Sequence, residues 1–250
     1  FVRGGTYYSP TYSSGDAFSL IVNNADKAKF ITSIELVGGC TGSNADGTEV
    51  QDFSKPSVLI ENPAKVGETT NLLNIVTNGK PVTISGFTFQ NQSGVGVKAK
   101  INLSTNNEGN LLKVHNSAFR KNKGTGMAVD NNAATRDNKS GIKMWNVLFA
   151  DGEGNGLEIE NSQSADITNA TFANNKGRAI KGTNSVYNSL TWNNGDNTIR
   201  DTEQKNKDNW DVAFPENTKN GDVLNGPNFV DPENGDYRIR PSLKLSLIHI

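Results

Sequence analysis

Four phenylalanines carry the strongest constraint in this chain. Phe89, Phe119, Phe149 and Phe172 stand 30, 30 and 23 residues apart, and the residues around them keep fixed offsets. Three positions before each stands Gly86, Asn116, Asn146 or Asn169, and five before stands Ile84, Val114, Met144 or Ile167. Seven before are Val82, Leu112, Ile142 and Ala165. Five after are Gly94, Gly124, Gly154 and Gly177, and eight after are Val97, Met127, Leu157 and Ile180. Ten after are Ala99, Val129, Ile159 and Gly182. No gap is needed across this window. A degenerate copy, Val186 to Trp192, follows with one residue inserted.

Within each unit apolar residues alternate with polar ones, and Asn or Gly interrupts the alternation twice. That is the pattern of three short strands joined by turns. The chain holds 35 Asn and 25 Gly among 250 residues, both poor helix formers, so a helical repeat is disfavoured. Units of this size bury their apolar columns only by stacking on copies of themselves. The expected fold is therefore all-β, a solenoid of three short strands per rung, a parallel β-helix. The four phenylalanines would stack inside it. Asn116, Asn146, Asn169 and Asn188 would form an amide ladder at one corner. A sandwich or propeller alternates strand direction and has no reason to keep one set of offsets.

The units differ in one place. Asn102 to Leu111 and Asn132 to Gly141 each add ten polar-rich residues after the same strand, whereas Ser162 to Ser164 adds three. Adjacent insertions at one corner would wall a groove, or are simply tolerated on the surface. Residues 195–226 break the repeat and read as an irregular surface excursion. Net charge is −1, so no global field draws the chain to nucleic acid or to an anionic membrane, and neither is expected as a partner. No apolar run approaches the ~18 residues of a membrane span. The single cysteine, Cys40, cannot form an internal disulfide and reads as a small core residue.

The column pattern over residues 82–192 resembles the right-handed β-helix repeat of the pectate-lyase-like superfamily. Val37-Gly38-Gly39-Cys40-Thr41-Gly42 and Pro56-Ser57-Val58-Leu59-Ile60 resemble the early rungs of secreted Bacteroidota-type β-helix proteins. Asn188 to Asn194, followed by Phe229-Val230-Asp231-Pro232-Glu233-Asn234-Gly235-Asp236-Tyr237-Arg238-Ile239, resembles their closing segment. The resemblance implies a right-handed helix and a secreted or cell-surface protein, expected as a monomer. It implies no single reaction, because the fold hosts lyases, hydrolases, epimerases and adhesins. The clustered Asp triad of calcium-dependent pectate lyases and the paired-Asp, Gly-His and Arg-Ile-Lys set of polygalacturonases are absent.

Column mates in stacked rungs lie ~4.8 Å apart, so outward columns read as contacts. One outward column is Thr83, Lys113, Lys143, Asp166, and its neighbour is Ser85, His115, Trp145, Thr168, Tyr187. Lys113, His115, Lys143, Trp145 and Asp166 thus form the expected carbohydrate-binding face. Trp145 would stack on a sugar ring while the lysines pair with uronate or sulfate. Were the protein a lyase, Lys113, His115 and Lys143 would neutralise a carboxylate or take the α-proton. The alternative for the same residues is a solvated face carrying a single aromatic. Asp130 and Glu160 are adjacent on another outward column and would either share a Ca²⁺, act as an acid pair, or belong to salt ladders with Lys100 beside Asp130 and Lys181 beside Glu158. Lys121 with Asp151, and Lys123, Glu153 and Lys176, read as corner ion pairs. No other cofactor is expected. The functional expectation is a protein that binds or displays toward polysaccharide. A lyase on uronate-containing glycans and a structural stalk or adhesin are the alternatives.

Leu245-Ser246-Leu247-Ile248-His249-Ile250 matches nothing before it. It can be back-translated as CTG TCT CTT ATA CAC ATC, a transposon end used in preparing sequencing libraries; the alternative is a native apolar C-terminal strand. Residues 1–244 are therefore read as one β-helix domain cut at both ends, and 245–250 as a non-native tail. Deleting 245–250 should leave the melting temperature unchanged, and a drop of several degrees would show a native strand there.

Overall fold

The computed structural model describes residues 1–9, 16–22, 32–45, 48–66, 70–78, 80–102, 112–130, 141–160, 164–196, 210–211 and 229–239. The insertions at 102–111 and 132–141, apart from Asn102 and Gly141, lie outside the described residues, as do most of 195–226 and all of 245–250. The described residues are all-β, with one 3₁₀ turn at Pro63–Lys65 and no α-helix. Almost every strand pairing is parallel.

The pairing follows the offsets read in the sequence. Leu112–Arg120 pairs with Ile142–Ala150 in the register Val114↔Met144, Phe119↔Phe149. Ile142–Ala150 pairs with Ser164–Ala173 as Met144↔Ile167, Phe149↔Phe172. Val82–Ser85 and Phe87–Gln90 precede them on the same sheet, with Phe89 opposite Phe119. A second parallel sheet runs through Phe18–Val22, Asn71–Asn78, Val95–Asn102, Met127–Asp130, Leu157–Ile159 and Ile180–Lys181. These long stacked sheets are compatible with a solenoid. Between them lies one core that joins Phe89, Phe119, Phe149 and Phe172 to Ala99, Met127, Val129 and Leu157. The four rings are at most 1% exposed and stack with centroids 5.3, 4.6 and 5.0 Å apart.

Backbone chemistry explains the corners. Asn116, Asn146, Asn169 and Asn188 all adopt positive φ, between 45° and 53°, a conformation that Asn tolerates better than most side chains. Their amides make the expected ladder. Nδ2 of Asn146 donates to Oδ1 of Asn116 at 3.2 Å, Asn169 donates to Asn146 at 3.3 Å, and Asn188 to Asn169 at 2.6 Å. At the next corner Asn91, Lys121, Asp151, Asn174 and Asn193 repeat the positive φ. Beyond it the column Gly94, Gly124, Gly154, Gly177 is packed backbone to backbone. A Cβ on Gly124 would lie 2.5 Å from the carbonyl oxygen of Gly94.

A second amide column was not anticipated. Asn122 and Asn175 are buried three residues beyond the phenylalanines. Asn122 donates to the Phe89 carbonyl and accepts from the Gln92 amide. Asn175 does the same with Phe149 and Gly152, and Asn194 with Phe172 and Asn175. These side chains close backbone groups that the turn would otherwise leave unpaired in the interior.

Three details differ from the sequence reading. The last copy needs no inserted residue, because Thr191 lies opposite Phe172 and Trp192 opposite Ala173. Trp192 therefore faces outward. The segment 229–239 forms an antiparallel hairpin, Phe229–Asp231 with Asp236–Ile239, laid on the outer face of the phenylalanine sheet. Phe229 and Tyr237 pack against Leu148, Ala150, Ala173 and Leu190, with Trp192 edge-on to Phe229. The Tyr237 hydroxyl donates to Asp151, and Asn174 donates to that hydroxyl at 2.9 Å. Burial, together with the Asp151 carboxylate, pushes the Tyr237 phenol well above its ordinary value. Arg120 lies 3.5 Å from Asp151 and Asn174 Nδ2 donates to it at 3.5 Å, so the partners of Asp151 are Arg120, Asn174 and Tyr237 rather than Lys121. Cys40 is buried, as expected.

Replacing Phe149 by Ala should cost ~3–5 kcal/mol, since it empties the middle of the ring stack. Denaturant melts showing a loss below ~1 kcal/mol would contradict the packing described here.

Candidate functional site

The strand Leu112–Arg120 alternates buried and half-buried side chains up to Asn116, which puts Lys113 and His115 outward. Ile142–Ala150 does the same for Lys143 and Trp145. The in-register pairing then aligns Lys113 with Lys143 and Lys143 with Asp166, and His115 with Trp145 and Trp145 with Thr168. All five residues expected at a binding face, Lys113, His115, Lys143, Trp145 and Asp166, therefore share one outward surface. The strand Ile34–Val37 adds Glu35 to the lysine column, opposite Thr83. At the same end Gln51 donates to the hydroxyl of Ser85, 3.2 Å away, and bounds the face.

The aromatic centre is more built than an isolated Trp. The His115 and Trp145 rings stack with centroids 4.3 Å apart and planes 11° from parallel. Lys143 Nζ lies 6.0 Å from the Trp145 ring, at the outer range of a cation–π contact. Stacking on His115 occupies one face of the indole. The other face looks along the column toward Thr168.

His115 is tied to the ladder. Asn116 Nδ2 lies 3.1 Å from His115 Nδ1. Because Asn116 Oδ1 accepts from Asn146, the amide nitrogen is the end that faces the imidazole. An amide nitrogen only donates, so Nδ1 accepts and the proton of neutral His115 sits on Nε2. Burial lowers the His115 pKa and Lys113 adds to this, while Glu35 opposes it. A protonated ring would also set an N–H against the Asn116 N–H.

The second outward surface behaves as a salt ladder. Lys100 lies opposite Asp130, and Glu158 opposite Lys181. Burial pushes the Glu158 carboxyl up, but hydrogen bonds from Lys181, Asn155 and Thr125 outweigh it and hold the group below its ordinary value. Lys176 pairs with Glu153 at 3.5 Å on the neighbouring corner. Asp130 and Glu160 follow each other in this register, the Glu160 amide donating to the Val129 carbonyl. Among the described residues no group of three His, Cys, Asp or Glu side chains converges to hold a metal ion.

One site escaped the sequence. On the other side of the asparagine corner is a pocket of about 300 Å³ lined by Phe53, Pro56, Asn116, Asn146, Ala118 and Leu148, among others. Phe53 comes from the turn after the small hairpin Cys40–Ser43 with Glu49–Gln51, 34 residues before Phe87 and 95 before Leu148, which line the same pocket. The only local signal was the run Val147-Leu148-Phe149-Ala150, apolar on both faces of the strand, which indicates a strand covered on both sides. No family model, no curated protein and no solved structure matches the chain.

A histidine held neutral in the folded state makes stability depend on pH in a definite direction. Below ~6.5 the unfolded chain binds the His115 proton before the folded one does. That contribution is complete above the unfolded pKa and is lost as pH falls through the lower folded value. An NMR titration, assigned with His115→Gln, should give a midpoint below ~6.5. The variant should also lose stability less steeply than the parent on acidification. A midpoint at or above the free-histidine value would contradict the buried, ladder-bound imidazole.

Proposed function

We propose that the chain is a right-handed parallel β-helix of the pectate-lyase-like type, a secreted or cell-surface protein that binds acidic polysaccharide along the Lys113, His115, Lys143, Trp145 and Asp166 face. Parallel strands joined by crossovers are right-handed in nearly all known sheets, which supports the handedness. One observation carries the functional reading: two lysines and a His–Trp stack meet on one outward face in fixed register. Trp145 offers its open face to the C–H side of a pyranose. Lys113 and Lys143, ~4.8 Å apart along the column, match carboxylates or sulfates on the same sugar chain. Asp166 closes the row as an acceptor for hydroxyls.

Binding is favoured over elimination. For His115 to take the α-proton it needs an open nitrogen lone pair, and its lone pair is on Nδ1, engaged by Asn116, which leaves Lys113 and Lys143 as the bases of a lyase reading. The nitrogen left to a ligand is a donor.

Calorimetric titration with oligouronates tests the reading. Trp145→Ala should weaken binding by ~1–3 kcal/mol through the lost stacking surface. Lys143→Ala should weaken it at low salt and converge on the parent as salt is raised. The reading fails if the double variant binds every oligouronate as the parent does. Unsaturated ends appearing in the ultraviolet spectrum during incubation would replace it by the lyase.

A further inference from the structure

The pocket beyond the asparagine corner differs from the lysine face in its chemistry. Among the described residues no charged side chain lines it. Phe53, 49% exposed, forms one wall, with Pro56 beside it. Ala118 and Leu148 make an apolar floor, and the opposite edge is amide, from Asn116 and Asn146. These amides are fixed before any ligand arrives. Asn146 Nδ2 donates to Asn116 Oδ1, and Asn169 Nδ2 to Asn146 Oδ1, so each carbonyl is held by the next rung. An amide nitrogen carries two N–H groups. One N–H of Asn146 is taken by the ladder and one of Asn116 by His115 Nδ1, so each of the two amides has one further N–H. The two residues line the pocket ~4.8 Å apart beside an exposed aromatic wall.

We propose that this pocket is a second carbohydrate subsite, selective for a neutral pyranose. A neutral sugar presents a C–H face and an edge of hydroxyls. Phe53 takes the face, Ala118 and Leu148 the ring's apolar underside, and Asn116 and Asn146 the hydroxyl edge. A uronate would bring a carboxylate onto a floor with no cation to receive it, which disfavours it here. Lipid and hydrocarbon ligands would leave the two amides facing apolar surface, with the same kind of cost. About 300 Å³ is at the small end of ligand sites, the size for one or two sugar units. Asn116 touches both sites, since its amide also meets His115. A glycan crossing the corner would thus be read as an acidic unit on the lysine side and a neutral unit on the phenylalanine side.

This inference rests on the proposed glycan-binding role but does not share its residues at the level of the test. The full chain is titrated by calorimetry with tetrasaccharides of glucose, mannose, galactose or xylose units, and separately with a tetrauronate. Phe53→Ala removes the wall, and Thr88→Met fills the pocket from a half-buried lining position without adding charge. Both should lower neutral-oligosaccharide affinity about tenfold or abolish it, the order expected for one lost stacking contact, and leave tetrauronate binding unchanged. Trp145→Ala should do the reverse. Melting temperatures of both pocket variants are measured alongside. If the parent binds tetrauronate through Trp145 and no neutral sugar, the subsite is wrong and the lysine face stands. If neutral binding is lost with Phe53→Ala while no uronate binds, the subsite stands and the lysine face is wrong. Neutral binding equal to the parent's in both pocket variants overturns the proposal.

Discussion

Register between rungs is the constraint on which everything else in this molecule depends. The backbone must return to the same azimuth after 30 residues in two turns and after 23 in the next, with matching residues ~4.8 Å apart. The asparagine corner enforces this. Each corner residue sits at positive φ, and each amide bonds the next, so a slip of one residue would lose the ladder and turn the phenylalanines out of the core. A single such hydrogen bond is worth only ~0.5–1.5 kcal/mol net. Its weight lies in specificity, because every rung repeats it. The buried Asn122 and Asn175 and the half-buried Asn194 serve the second corner in the same way, by tying the side chain of one rung to the backbone of the rung before.

The same register manufactures surface chemistry. A residue's neighbours on the outer face are its homologues in adjacent rungs, so a substitution in one rung acquires defined partners. His115 and Trp145 occupy equivalent positions and therefore stack ring on ring. Lys113 and Lys143 are equivalent and therefore lie side by side, with Asp166 next in the row and Glu35 at the far end of the same column. Like charges at that spacing repel in the free protein. An anion bridging them would relieve that repulsion, which is the physical basis of the acidic ligand proposed for this face.

Much of this was readable because the signal is a spacing, and spacing survives without any knowledge of distant contacts. The stacked phenylalanines, the Asn116 ladder and both outward columns follow from fixed offsets alone. What could not be read involves segments far apart in sequence or geometry within a column. The outer face of the phenylalanine sheet carries Ala118, Leu148 and Leu190, which look like exposed apolar residues until Phe229 and Tyr237 are laid over them. Phe53 reaches its pocket through a hairpin that no repeat predicts. The Asn122 column was present in the same offset table, but Gly152 interrupts it, and the interruption hid it. That His115 covers one face of Trp145 is a matter of ring orientation, which alternation does not specify.

The outer face of the phenylalanine sheet shows how function and closure compete for one surface. Beyond Leu148 the hairpin fills it with Phe229 and Tyr237, and Asp151 anchors the hairpin through the Tyr237 hydroxyl. Short of Leu148 the hairpin stops and the pocket under Phe53 begins. Leu148 belongs to both. A sheet whose outer columns are apolar must be covered somewhere, or it invites association with other molecules. Here the covering is partial, and the uncovered part is the one bordered by fixed amides rather than by more hydrocarbon. An apolar floor beside amide groups is poorly matched to another hydrophobic segment, which would leave them unpaired. The proposed ligand is itself apolar on one side and hydroxylated on the other. The asparagine corner thus supplies structural register on the axis of the stack, and its Asn116 and Asn146 also form one edge of the pocket.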